Sequence, residues 1–191
     1  VTWHEGAVPR AAREGTVAQG GATIWLTGFS GSGKSSIAHA AEATLVTLGR
    51  SAYTLDGDNI RLGLNADLGF SPTDRKENVR RVGEVARLMA DSGSVVFAPL
   101  ISPYESGREA IRTAHATAGI PFHLVLVSTP LDVCEARDTK GLYAKARAGE
   151  LKDFTGVSAP YEVPMSPDLV IDTSQVTIDD AVRSVLGLVT R

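Results

Sequence analysis

Gly28-Phe29-Ser30-Gly31-Ser32-Gly33-Lys34-Ser35 fits the pattern G-x-x-x-x-G-K-[ST] of a phosphate-binding loop. Its flanks carry as much weight as the motif. Ala22 to Thr27 reads as a short buried strand, and residues 36–48 are Ala-rich and helical in character. Strand, glycine-rich loop and helix form the context in which backbone N–H groups can wrap a phosphate and a helix N-terminus can face it. In that frame Lys34 supplies a point charge for the β and γ oxygens, and the Ser35 hydroxyl is placed for Mg²⁺. Gly28, Phe29, Ser30, Gly31, Ser32, Gly33 and Ser36 complete the expected ATP-binding loop. The glycine phase does not fit G-x-G-x-x-G, so a dinucleotide cofactor is disfavoured.

The chain has 191 residues, 43% of them hydrophobic, which suits one domain with a full core. Its formal net charge of −3 argues against a nucleic-acid or anionic-membrane partner. Cys134 is the only cysteine, so an internal disulfide is excluded and a reducing, cytoplasmic setting is expected. No apolar run approaches a membrane span and no signal peptide is visible. The start at Val1 is compatible with a segment of a longer polypeptide. Strand and helix alternate along the rest of the chain. Strands are expected over residues 51–55, 94–100, 122–127 and 169–171, and helices over 74–91, 103–118, from Pro130, and 177–189. This alternation predicts a parallel sheet with helices on both faces. Residues 1–21 read as a weakly patterned arm and 22–191 as the domain. Residues 138–167, with Gly141, Gly149 and Gly156 among basic residues, read as a lid.

Asp56-Gly57-Asp58-Asn59 closes the second strand at the nucleotide end of the sheet. The composition also suits a plain turn. Beside a phosphate loop, two carboxylates can divide the work, one toward Mg²⁺ and one toward an acceptor hydroxyl. Ser102 has two readings. With Pro103 after it, it suits a helix N-cap. It also lies just past the third strand, where a site would sit.

Several stretches together resemble adenylylsulfate (APS) kinase. They are Gly28 to Ser36, Asp56-Gly57-Asp58-Asn59-Ile60-Arg61, Gly69-Phe70-Ser71-Pro72-Thr73-Asp74-Arg75-Lys76-Glu77-Asn78, Leu100-Ile101-Ser102-Pro103-Tyr104, Lys140-Gly141-Leu142-Tyr143 and Phe154-Thr155-Gly156. The resemblance implies a P-loop NTPase fold of the nucleoside-monophosphate-kinase type, with a five-stranded parallel sheet. It implies transfer of the γ-phosphoryl of MgATP to the 3′-hydroxyl of APS. Arg61, Phe70, Arg75, Asn78, Leu100, Ile101, Lys140 and Phe154 match substrate-binding positions, with Phe70 and Phe154 stacking on the adenine. Asp58 matches the catalytic carboxylate and, with Ser35, the metal site; Asp56 supports either task. Arg137 is expected near the ATP adenine. The matching serine, Ser102, has been proposed to carry phosphate in this family. A homodimer is expected, and fusion to or association with a sulfate adenylyltransferase is one arrangement the family uses. Glu105 departs from the Arg common at that position and is expected to face solvent. Two alternatives stand: another small-molecule or nucleotide kinase, and a catalytically silent nucleotide-binding module.

Overall fold

A computed structural model describes residues 7–17 and 20–189. Five strands form one parallel sheet in the order β2-β3-β1-β4-β5. They are β1 (Ala22–Thr27), β2 (Ala52–Thr54), β3 (Val95–Pro99), β4 (Phe122–Val127) and β5 (Leu169–Ile171). The helices are α1 (Arg10–Val17), α2 (Lys34–Thr47), α3 (Gly57–Arg61), α4 (Pro72–Asp91), α5 (Glu105–Thr117), α6 (Leu131–Arg137), α7 (Leu142–Arg147) and α8 (Ile178–Leu186). This is the expected doubly covered α/β sheet.

The period of two along β1 divides the core. Ile24 and Leu26 pack with Ile37, Leu45, Phe97, Val125 and Val185, on the face covered by α2 and α8. Trp25 points the other way and packs with Val82, Ala86, Val96, Ile111 and Leu124, under α4 and α5. Both faces of β1 are therefore buried, which explains its unbroken apolar run.

Two expectations about the frame change. Part of the predicted arm is a helix, α1, whose Arg13 donates to the Asp91 carbonyl at 3.1 Å and whose Arg10 donates to that of Ala118 at 3.2 Å. Cations there meet the carbonyl ends of α4 and α5. Residues 1–6, 18 and 19 of the arm lie outside the described residues. The helix predicted from residue 74 starts earlier, because Ser71 caps it: its Oγ accepts from the Asp74 N–H and donates to the Asp74 carboxylate.

His115 is fully buried on the α4–α5 face. Its Nδ1 donates to the Ile111 carbonyl at 2.9 Å, so Nε2 meets the Thr23 hydroxyl, also at 2.9 Å. Burial holds its pKa below the usual histidine value. The unfolded chain therefore binds a proton that the folded chain resists, and stability falls as pH drops below about 6.5. Urea midpoints measured at pH 7 and pH 5 should differ more for the wild type than for His115→Gln.

Candidate nucleotide and phosphoryl-transfer site

Every loop that leaves the carboxyl end of a strand contributes to one edge, the position where open parallel sheets bind ligands. The loop after β1 is the phosphate-binding stretch. A Cβ on Gly28, whose φ is 149°, would lie 2.4 Å from the Val127 carbonyl oxygen. Only glycine fits so close to β4. Gly33 has φ 98° and stands at the N-cap of α2 without a side-chain cap, so the first N–H groups of a 14-residue helix face the loop. The loop is braced from outside, since Thr129 and Thr173 both donate to the Ser32 carbonyl, at 3.0 and 2.9 Å.

Lys34 is buried, and its Nζ donates to the carbonyls of Phe29 at 2.6 Å and Gly28 at 3.0 Å. Burial lowers its pKa to about 8. The ammonium is thus held inside the cradle with little compensating charge, a setting that favours an incoming polyanion. Ser35 Oγ donates to Asp56 Oδ2 at 2.9 Å. Asp56 is also the N-cap of α3, taking the Asp58 N–H on Oδ1 at 2.9 Å. The stretch 56–59 is therefore a capped helix start rather than a plain turn.

That cap separates the two carboxylates. Asp56 faces the phosphate loop, with His39 Nε2 3.7 Å from Oδ2. Asp58 faces residues 138–141 and pairs with the Lys140 ammonium. The Ser35–Asp56 pairing is a fit for Mg²⁺ bound with a nucleotide, because this ion takes one or two protein oxygens beside phosphate oxygens. It is Asp56 that stands beside Ser35 in this structure, while Asp58, which the resemblance put there, pairs with Lys140.

Across from the phosphate loop's metal pair, in the loop before α4, Phe70 is 60% exposed. The Arg61 guanidinium lies 4.3 Å from its ring centroid, and Arg61 Nη1 donates to the carbonyls of Leu68 and Gly69. Arg75 binds the Phe70 carbonyl and reaches across to Asp153 and Thr155 of the lid. Phe154, between those two, sets its ring edge-on to Tyr143 at 5.0 Å, and the Tyr143 hydroxyl donates to the Ser30 carbonyl at 2.9 Å. Asn78 is buried and accepts from Asn65 Nδ2 at 3.0 Å. Leu100 is buried and Ile101 half-buried at the end of β3. Arg137 donates to the Gly31 carbonyl and to Thr173, on the flank of the phosphate loop.

Two expectations are overturned here. Ser102 is no N-cap: α5 starts at Glu105 with Tyr104 as its cap residue. Ser102 is buried with φ 39°, an unusual conformation for a non-glycine residue. Its Oγ accepts from the Trp25 indole N–H at 3.0 Å and donates to Thr27 Oγ1 at 3.0 Å. Thr27 Oγ1 passes its own proton to the Ile101 carbonyl at 2.6 Å and lies 3.0 Å from the Tyr161 hydroxyl. Nor does Glu105 face solvent. It pairs with Arg108, a fully buried guanidinium, and accepts the Met165 N–H. Arg108 also donates to the carbonyls of Ser102 and Glu162, each at 2.5 Å. A buried arginine needed an acid, and Glu105 one turn earlier supplies it. Thr27, Arg108, Tyr143, Thr155 and Tyr161 were given no role from the sequence. Their contribution depends on partners 54–134 residues away, and no local signal marks it.

A phosphate loop after the central strand, a buried lysine, a serine tied to an aspartate and a second aspartate paired with Lys140 define a P-loop phosphotransferase. Comparison with known proteins narrows the class. Residues 20–172 match the family described as adenylylsulphate kinase, and the chain belongs to that family. It is 51% identical to the adenylyl-sulfate kinase of Geotalea daltonii over 189 residues, 99% of this chain and 92% of that one. It is 53% identical to that of Erwinia tasmaniensis over 188 residues, 98% and 92% of the two chains. Among solved structures, the Mycobacterium tuberculosis APS kinase in complex with AMPPNP and APS superposes with TM-score 0.86 at 54% identity, covering 89% of this chain and 98% of that one. A gluconokinase from Sinorhizobium meliloti shares the fold at TM-score 0.54 and 18% identity.

Proposed function

We propose that this chain transfers the γ-phosphoryl group of MgATP to the ribose 3′-hydroxyl of adenosine 5′-phosphosulfate, giving PAPS and ADP. The observation that carries this reading is the joining of two half-sites. Lys34, Ser35 and Asp56 form the phosphate-loop half, and Arg61, Phe70, Arg75 and Phe154 form an aromatic–arginine half. Asp58 and Lys140 lie between the strand ends and the lid. Gluconate-type kinases have no use for two aromatic walls backed by arginines.

MgATP, when bound, supplies the phosphoryl group and its counter-charge. Lys34 and the first turn of α2 hold the triphosphate, and Ser35 with Asp56 takes the metal side. Asp58 orients the acceptor hydroxyl and accepts its proton. Arg61 and Arg75 present planar forks to the phosphosulfate oxyanions. Asn78, Leu100 and Ile101 line the acceptor side, and Arg137 flanks the ATP. Residues 138–167 act as a lid that excludes water. Transfer is direct and in line, because the Ser102 proton is already spent on Thr27 and no base among the described residues touches its oxygen. The reading carries with it a cytoplasmic homodimer, with no nucleic-acid or membrane partner, fused to or associated with sulfate adenylyltransferase subunits. No helix among the described residues is long and apolar enough to cross a membrane.

Incubation with MgATP and APS should yield PAPS, and AMP should be a poorer acceptor by about tenfold or more. AMP lacks the sulfate oxygens that a charge-assisted contact, worth about 1.5–3 kcal/mol, would hold. Equal turnover of AMP and APS would remove the phosphosulfate from the assignment.

A further inference from the structure

Arg75 has three bonds in this structure, and none of them goes to a carboxylate. Nε donates to the Phe70 carbonyl at 2.8 Å, Nη1 to Thr155 Oγ1 at 2.9 Å and Nη2 to the Asp153 carbonyl at 2.5 Å. One planar group therefore ties the loop that carries Phe70 to the loop that carries Phe154. A guanidinium is rigid, so acceptors bound to its separate nitrogens are held at a set spacing. The two loops differ in their own support: the Phe154 loop carries internal turn bonds, the amides of Val157, Ser158 and Ala159 donating to the Phe154 carbonyl, so Arg75 fixes where that preformed turn sits rather than its shape. Phe70 is largely exposed, and the side chains that gather the backbone around it are those of Arg61 and Arg75. On the Phe154 side, Asp153 has φ 56°, a left-handed conformation that aspartate tolerates better than most residues and that turns its carbonyl to Arg75 Nη2. Thr155, next but one, is 1% exposed, so its hydroxyl had to find a partner, and Arg75 is that partner.

We propose that Arg75 is a positioning residue that gauges the gap between the two aromatic walls, Phe70 and Phe154. This rests on reading those rings as the stacking surfaces for the acceptor's adenine. Three of the five guanidinium N–H donors are spent on the gauge, and two remain for an oxyanion. The same fork then reads two things in the acceptor. It sets the slot width for a flat base, and it answers the negative charge attached to that base. A lysine would keep the charge and lose the gauge, because a single ammonium cannot hold three separated acceptors in one plane.

The two roles separate with a ligand that has a base and no anion. Adenosine is titrated by NMR against the wild type, Arg75→Lys, Thr155→Val and Thr155→Ser. Thr155 meets only the gauge, so its loss should act without any change at the anion. Arg75→Lys and Thr155→Val should each weaken adenosine binding about fivefold, the usual worth of one hydrogen bond. Thr155→Ser should bind like the wild type. Combining Arg75→Lys with Thr155→Val should cost no more than Arg75→Lys alone, since both break one connection. Affinity for a non-hydrolysable ATP analogue should hold within about twofold, and amide exchange over residues 153–158 should quicken in both variants without ligand. If adenosine binds Arg75→Lys and Thr155→Val as it binds the wild type, while APS binds Arg75→Lys less well, Arg75 answers the anion only and the gauge is wrong. If the wild type fails to bind adenosine, the gauge is likewise wrong. If adenosine responds as expected but no APS is phosphorylated, the gauge stands and the substrate reading falls.

Discussion

Asp58→Asn should lower PAPS formation by about 10²–10⁴-fold, the usual cost of removing a positioned general base. The ATP-analogue affinity should change less than about twofold, because the Asp58 carboxylate is directed to the lid rather than to the phosphate loop. It stands at the start of α3, oriented through its own N–H by Asp56 and paired with the Lys140 ammonium. Asparagine keeps the shape and some hydrogen bonding, but it accepts no proton and holds the lid lysine weakly. Asp56→Asn should behave differently. It breaks the Ser35 link and should raise the Mg²⁺ concentration needed for half-maximal rate. If Asp56→Asn alone abolished turnover at saturating Mg²⁺ and Asp58→Asn did not, the two roles would have to be exchanged.

Lys34→Met is the other large expected loss, about 10²–10³-fold in turnover, as for removal of a preorganised charge at a transferring group. The geometry also makes a second demand. Lys34 is buried against the carbonyls of Gly28 and Phe29 with its pKa lowered to about 8, so its charge is kept in the folded state at a cost. Methionine fills a similar volume without that cost. The variant should therefore melt no lower than the wild type while losing activity and ATP affinity. Keeping the charge with Lys34→Arg should not preserve function, since the substitution pushes a bulkier head into a loop that leaves no room for a Cβ at Gly28. Calorimetric melting beside a PAPS assay checks both parts. A large fall in melting temperature would mean that the lysine holds the loop together rather than awaiting a phosphate.

The fold was legible where local pattern and tertiary environment agree. The β1–loop–α2 unit reads directly, because a strand buried on both faces, a glycine cradle and a helix start each leave a mark in the sequence. β4 reads for the same reason. Helix boundaries were less legible. Ser71 starts α4 through an Asp74 partner, and Asp56 turns a turn-like composition into α3. The misreadings cluster at the β3–α5 corner. Ser-Pro is a good local signal for a helix start, yet Ser102 is pulled inward by Trp25, Thr27 and Arg108, contacts whose sequence separations are 77, 75 and 6. Glu105 was expected to face solvent because an acid near an anionic substrate would be costly, and the buried Arg108 that recruits it is invisible in a linear reading. The aromatic and arginine positions were found through resemblance; composition would have placed Phe154 in the core and Arg75 on the surface.

The bond between the Trp25 indole and Ser102 Oγ gives the chain an internal lamp. One of two tryptophans, Trp25 has no solvent exposure, and its N–H ends in the hydroxyl relay that runs through Thr27 to Tyr161 at the foot of the lid. An indole so enclosed emits from an apolar setting and is shielded from quenchers dissolved in water. Its colour should follow the dipole of Ser102, which is set through Thr27 by the seating of Tyr161. A ligand that reseats Ile101 or Tyr161 should therefore shift the emission of Trp25, two hydroxyls away.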